Sequence, residues 1–389
     1  MTETPAVAPR GLRIALVCPY SLSRPGGVQG QVLGLARAFV ADGHRVTVFA
    51  PIDDHVDLPE GVDLVVTGRS VPLPSNGSRA PVSLSPRAAY RSVRSLRAGR
   101  FDVVHVHEPF SPGLPYALLL VGGLPPMVAT FHRSGDSIFY TLLKPLARRR
   151  ARRYAVRCAV SEAARTTAQR ALDGEYVVLF NGVEIERYRD AEPWPTDGPT
   201  VLFLGRHEER KGLGVLLDAF ALPSGAVSER VVGSTLWIAG DGPETERLRR
   251  LHPGSDRIRW LGVLSEEEKV RRLTAADILC APSLGGESFG MVLVEAMAAR
   301  TRVVASDIDG YRDAAGSDAV LVPPGDPSAL ADALGAVLER PAPDDADDPG
   351  LEREAVLDSA SARAERWSMR GLADRYEAIY RDLVVGETS

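Results

Sequence analysis

Apolar residues run continuously, without alternation, through six short segments of the first half of the chain: RIALVCP, RVTVFAP, DVVHVH, MVATFH, CAVS and YVVLFN. Longer stretches with helix-like spacing lie between several of them. A continuous apolar run of strand length reads as a strand buried on both faces, as in a parallel sheet. Strands alternating with helices predict a doubly wound α/β layout. The stretch ERYRDAEPWPTDGP, residues 186–199, is rich in proline and charge and reads as a linker. The pattern then restarts with TVLFLG, TLWIAG, IRWLG, ILCAPS, TRVVASD and AVLVPP. Two α/β domains meeting near residue 190 are therefore expected. RPAPDDADDPG, residues 340–350, reads as an acidic loop, and RWSMRGLADRYEAIYRDLV, residues 366–384, as a closing helix.

Length agrees, since 389 residues exceed one ordinary core. The composition is that of a globular protein, with 44% hydrophobic and 25% charged residues. A net charge of −5 argues against a general nucleic-acid binder, so an anionic partner has to be met by a local basic patch. Cys18, Cys158 and Cys280 have neither paired nor metal-type spacing, which fits a reduced, cytoplasmic setting. MTETPAVAPRG lacks the basic and apolar regions of a signal peptide, and YALLLVGGLPPMVA is too short and too interrupted to span a bilayer.

In doubly wound sheets ligands bind beyond the carboxyl ends of the strands, so the residues just after each apolar run are the candidates. After the first run comes Gly26–Gly27 in SRPGGVQG, where a glycine turn opens a helix whose amides and dipole suit a phosphate. His132 follows MVATF, and Arg206 and Lys211 follow TVLFLG in a loop that suits a diphosphate. Taken singly, a plain turn, a structural histidine and a solvated basic loop stay open. The strongest pattern is LGGESFGMVLVEAMA, residues 284–298. There Glu287 lies in a glycine-rich loop, Glu295 lies in the next helix, and Gly285, Gly286 and Gly290 allow close backbone approach. The chain has no dinucleotide fingerprint and no Walker lysine.

GGESFGMVLVEAMA, with GGVQ, ATFH, NGVEIERY and LGRHEERKG in the same order, resembles the retaining GT-B glycosyltransferases of family 4 over roughly residues 12–385. ALVCPYSLSRPGGVQ, VPLPSNGS and FDVVHVHEP are similar to the phosphatidyl-myo-inositol mannosyltransferases of actinobacteria. The resemblance implies two Rossmann-like domains facing a cleft. These are an acceptor- and membrane-facing domain over 11–190, a nucleotide-sugar domain over 198–365, and a helix over 366–385 crossing back to the first. It implies transfer of mannose from GDP-mannose to the inositol of phosphatidylinositol at the inner membrane face, with no metal or other cofactor.

The resemblance also implies the site residues. His132 stands beside the transferred sugar and Glu287 at its hydroxyls; these are the catalytic pair. The donor is bound by Gly27, Arg206 and Lys211 at the diphosphate, Leu264 and Lys269 at the base, Phe289 and Gly290, and Glu295 at the ribose. Tyr20, Gln29, Asn76 and Ser78 hold the acceptor. The family has a tyrosine where Ser75 stands, a different segment from RSGDSI after His132, and a small glycine where Arg300 stands. Transfer from another nucleotide sugar, transfer to another lipid or soluble acceptor, and non-catalytic sugar-nucleotide binding are the alternatives. A metal-binding D-x-D at Asp307–Asp309 or Asp345–Asp347 is a further, weaker one.

Arg87, Arg91, Arg94 and Arg97 are spaced four, three and three apart, which forms one stripe on a helix. KPLARRRARRYAVR carries a second basic run. Both are read either as a docking surface for anionic lipid or as solvated faces.

Overall fold

A computed structural model of the chain describes residues 11–24, 26–75, 78–133, 144–222, 229–253, 255–287, 289–339 and 349–386. It divides into two compact units, one of residues 1–182 with 369–389 and one of residues 183–368.

The first unit is built on a seven-stranded sheet. Its strands are β1 (Arg13–Val17), β2 (Arg45–Ala50), β3 (Val62–Val66), β6 (Val103–His107), β7 (Met127–Phe131), β8 (Val156–Ala159) and β9 (Val177–Val178), in the order β3-β2-β1-β6-β7-β8-β9. All neighbours are parallel, with Ile14 paired to Val46 on one side and to Val103 on the other. Between β3 and β6 the chain forms an antiparallel hairpin, β4 (Val71–Ser75) with β5 (Ser78–Val82). β1, β6 and β7 are buried almost throughout, which is why their apolar runs lack alternation. β3 lies at the sheet edge and is only half-buried, so it lacks such a run. Helix α1 (Gly27–Ala41) follows β1, and α2 (Pro86–Ala98) precedes β6. Ser85 caps α2 by accepting the Ala88 N–H, and Pro86 occupies its first turn.

The second unit has a six-stranded parallel sheet in the order β12-β11-β10-β13-β14-β15. Its strands are β10 (Thr200–Leu204), β11 (Thr235–Ala239), β12 (Ile258–Gly262), β13 (Ile278–Ala281), β14 (Arg302–Ser306) and β15 (Val320–Val322). Helix α3 (Glu266–Ala275) precedes β13 and α4 (Met291–Ala298) follows it. Both units are Rossmann-like, and the fold class is that of the GT-B proteins. Arg300, just past α4, holds a left-handed φ of 56°. Its guanidinium pairs with Glu354 and Asp358 at 2.6 Å each, which ties helix α5 (Pro349–Glu365) to the end of α4.

The break between units falls after Gly182, earlier than the boundary expected near 190. The segment expected to be a linker, 186–199, begins inside a short helix, Ile185–Arg189, whose Ile185 and Tyr188 are buried in the second unit. Two apolar anchors among charges are too few to mark a core segment by composition.

The chain re-enters the first unit at Met369 and closes it with α6 (Met369–Gly386). Gly182 has no room for a side chain, since a Cβ would lie 2.8 Å from the Met369 backbone. The Gln31 amide binds Gly182 on both edges, at 2.8 Å each way. Tyr376 and Tyr380 of α6 are fully buried, and each hydroxyl finds a partner on the sheet. Tyr380 Oη lies 2.6 Å from His105 Nδ1, and Tyr376 Oη 2.8 Å from Thr130 Oγ1. Removing one partner leaves a buried polar group unpaired. Tyr380→Phe should therefore destabilise the protein by about 1–3 kcal/mol in urea unfolding, whereas an exposed change such as Arg375→Lys should not.

Candidate active site

In each unit the candidate residues sit where strands of the parallel sheet end. In the first unit, β1 runs into a loop and then into α1. Gly26 caps α1 in extended conformation and offers no side-chain acceptor of its own to the amides of the first turn. A Cβ at Gly27 would meet nothing within 4 Å, whereas one at Gly26 would strike the Gln29 amide. Gln29, expected at the acceptor, is buried and donates Nε2 to the carbonyls of Ser21 and Arg24 at 3.3 and 3.2 Å. It fixes the shape of the loop. Tyr20 bridges Val82 of the hairpin, and Ser21 N donates to Pro81 O at 2.9 Å, so the Tyr20 loop and the hairpin carrying Ser78 are joined. Burial first, then Glu108, pushes the Tyr20 phenol above its ordinary value. Asn76 lies outside the described residues.

His132 follows β7. Its Nε2 lies 2.8 Å from Nδ1 of His107, the last residue of β6, and the rings stack at 5.1 Å. Its backbone N–H donates to Glu108 Oε1 at 2.6 Å. Glu108 is buried, adopts a left-handed φ of 47°, and has its carboxyl pushed up by burial against the pull of Arg133 and the amides of His132 and Arg133. Behind His107 lies His105, with ring centroids 4.3 Å apart. Burial pushes His105 and His132 down to about 3, and it pushes His107 well below the ordinary histidine value, with His105 and His132 adding to it.

The second unit gathers charge. The Arg206 guanidinium lies 3.2 Å from Glu208, and Arg210 lies 2.9 Å from the same buried carboxylate. Arg210 and Lys211 both contact Glu287 Oε1, at 2.7 and 2.8 Å. Glu287 therefore sits among cations that suit a diphosphate. Gly212 turns the loop with a φ of 68° and packs against the Pro282 carbonyl, so no side chain fits there. Lys269 Nζ lies 3.1 Å from Glu295 and 2.8 Å from Glu266. Burial pushes the Lys269 ammonium down, but Glu295, Tyr188 and Glu266 together hold it above its ordinary value. Gly290 caps α4 in the left-handed region, and Leu264 lies half-buried between β12 and α3. The Phe289 ring is buried edge-on against Trp367 at 5.5 Å, so this side chain anchors the loop.

Arg87, Arg91, Arg94 and Arg97 are exposed on α2, opposite buried Ala89, Val93 and Leu96. Arg97 also donates Nε to the Gly122 carbonyl at 3.1 Å. The second basic run is largely structural. Arg150 and Arg153 donate to the Leu119 carbonyl at 3.2 and 3.1 Å, Arg157 donates to Asp173 O, and Arg148 pairs with Asp173. Arg312 binds both Asp307 and Asp309, which leaves that D-x-D pair as part of an ion-pair cluster. Asp345 and Asp347 lie outside the described residues. No helix among the described residues is long and apolar enough to cross a membrane.

His107, Glu108, Glu208, Arg210 and Tyr188 were not among the sequence candidates. Glu108 had a readable signal, since it stands directly after an apolar run. Two histidines at alternate positions of that otherwise apolar strand were a second.

The fold and the comparisons with known proteins together define a glycosyltransferase of the GT-B class. Two sequence families match, "Glycosyltransferase Family 4" over residues 25–187 and "Glycosyl transferases group 1" over residues 198–340. The chain belongs to the family 4 glycosyltransferases. It is 43% identical over 371 residues to the phosphatidyl-myo-inositol mannosyltransferase of Mycobacterium leprae, covering 92% of this chain and 94% of that one. It is 35% identical to the enzyme of that name from Propionibacterium freudenreichii, covering 80% and 81%. Among solved structures it is similar to the sucrose-phosphate synthase of Thermosynechococcus elongatus, at a TM-score of 0.70 and 20% identity over 96% of this chain and 100% of that one. It is also similar to Anabaena HepE in complex with UDP and glucose, at 0.68 and 19% over 95% and 100%.

The histidines give a pH prediction. A histidine that stays neutral when folded but takes a proton when unfolded favours the unfolded state as pH falls below its ordinary value of about 6.5. Stability should be level above that value and fall between about 6.5 and 3, by up to tenfold in the folding constant per pH unit for each histidine. Urea midpoints from pH 8 to 4 measure this, and His105→Gln should make the slope shallower.

Proposed function

We propose that the protein transfers mannose from GDP-mannose to the inositol of phosphatidylinositol with retention, at the inner face of the cell membrane. The observation that carries this reading is 41–43% identity over nearly the whole chain to phosphatidyl-myo-inositol mannosyltransferases. In this reading the second unit binds the donor. Arg206 and Lys211 take the diphosphate, Glu287 gives up part of its ion pairing to meet the sugar hydroxyls, Glu295 meets the ribose, and Leu264 and Lys269 lie by the base. The first unit supplies amides at Gly27, His132 beside the sugar, and an acceptor site around Tyr20, Asn76 and Ser78.

The chemistry follows from charge. The bond from mannose C1 to the diphosphate oxygen breaks, and negative charge grows on the leaving group. Fixed cations and amide N–H groups favour that charge more in the transition state than in the ground state. The bond from C1 to the inositol oxygen forms on the same face, and the hydroxyl proton passes to a phosphate oxygen. His132 is neutral at working pH, so it orients the sugar and carries no charge into the reaction. No metal is required when cations and helix amides meet the diphosphate. A second reading, transfer from another nucleotide sugar or to another lipid or soluble acceptor, is favoured by Ser75 replacing the family's tyrosine beside the acceptor segment.

The exposed α2 stripe supports peripheral docking on anionic lipid, with each arginine near the surface adding about 1 kcal/mol. Tyr90 and Leu84, both exposed, stand on and beside the same helix.

His132→Ala should reduce transfer from GDP-mannose to phosphatidylinositol by at least about a hundredfold while GDP binding, read by calorimetry, stays within about twofold. A variant with normal transfer contradicts the assignment. Arg206→Ala should instead weaken GDP binding, by about tenfold. In flotation with vesicles rich in phosphatidylinositol, the paired change Arg91→Glu and Arg94→Glu should release the protein, and unchanged binding contradicts docking through α2.

A further inference from the structure

The His107 imidazole has one edge that is used and one that is not. Nδ1 lies 2.8 Å from His132 Nε2, while Nε2 is buried with no hydrogen-bond partner among the described residues. The side chain is 1% exposed. Two neutral imidazoles sharing one contact can place their protons in two ways. If His132 Nε2 donates, His107 must carry its own proton on Nε2, as a buried N–H with no acceptor. If His107 Nδ1 donates, the unused Nε2 is only a bare lone pair. Orphaned buried N–H groups are rarer than under-used acceptors, so the second arrangement is favoured.

The surroundings hold this pair in place. His105 stacks on His107 at 4.3 Å with both its nitrogens used, by Tyr380 and Thr130. The His132 main chain is held by Glu108. Burial keeps both His107 and His132 neutral, so a shared imidazolium does not form at ordinary pH.

We propose that His107 is a positioning residue: its Nδ1–H donates to His132 Nε2, so that His132 carries its own proton on Nδ1 and offers an N–H, not a lone pair, to an oxygen of the bound sugar. The inference rests on the reading of His132 as the residue beside the transferred sugar. It assigns His132 the role of a hydrogen-bond donor and excludes it as a base. The polarity of that bond is set one residue away, at the end of the neighbouring strand.

Two measurements test it. In ¹⁵N NMR of the labelled full-length protein, with His132 assigned by comparison with His132→Ala, the ring should show a protonated Nδ1 and a bare Nε2. A protonated Nε2 overturns the proposal whatever the activity. In steady-state kinetics His107→Asn, whose side-chain amide can stand in for Nδ1–H, should keep kcat within a few-fold. His107→Leu should lower kcat by about tenfold or more with KM for GDP-mannose little changed, the size of effect seen when a metal-bound histidine loses its outer partner. If His107 only filled space, Leu would serve better than Asn, and that order overturns the proposal. Absence of any mannosyl transfer by the unmodified protein contradicts the functional reading instead, and the NMR result then decides the tautomer by itself.

Discussion

Three imidazoles lie side by side where β6 and β7 end, His105 and His107 buried and His132 partly so, and desolvation does not let them carry charge. Much of the first unit follows from that constraint. A neutral imidazole in a dry interior still needs its polar edges met, or its cost is high. His105 meets both of its needs with Tyr380 and Thr130, which is why the last helix of the chain must return to this sheet. His107 meets one need through His132, and His132 is thereby fixed in orientation at the mouth of the sheet. The closing helix and the site thus meet through hydrogen bonds to His105 and the stacking of His105 on His107, not by apolar packing alone.

The second unit solves the opposite problem. Arg206, Arg210 and Lys211 would repel one another if left alone in one loop. Glu208 and Glu287 lie among them and hold the loop in shape. A phosphorylated ligand would compete with these carboxylates for the same cations. In the proposed reading Glu287 has a double part: it offsets the cations before the donor arrives and would meet the sugar after it. The same logic holds at Lys269, which Glu295 and Glu266 keep charged despite burial.

The inner strands were legible because they lie inside sheets covered on both faces, and β9, β12 and β15 carried readable apolar runs although they lie at sheet edges. β3 and the β4–β5 hairpin were not, since an edge strand and a two-stranded ribbon need no such run. The division after Gly182 was hidden by composition, because only Ile185 and Tyr188 anchor the following turn. At the site, strand-end position pointed to His132 and Arg206, each just after an apolar run, and the glycine-rich LGGESFG pattern pointed to Glu287. It did not show that Gln29 is occupied with its own loop, that Phe289 is buried, or that Arg150 and Arg153 hold a carbonyl instead of facing solvent. The last two depend on contacts distant in sequence, and the first on a loop shape that no apolar pattern encodes.

The central claim is that a family 4 fold here moves mannose onto an inositol lipid. Incubation of the protein with labelled GDP-mannose or labelled UDP-sugars, with and without phosphatidylinositol vesicles, tests it most directly. Label should enter the lipid phase only when GDP-mannose and phosphatidylinositol are both present. Lipid labelling from a UDP-sugar alone, or hydrolysis of GDP-mannose with no labelled lipid, would contradict it.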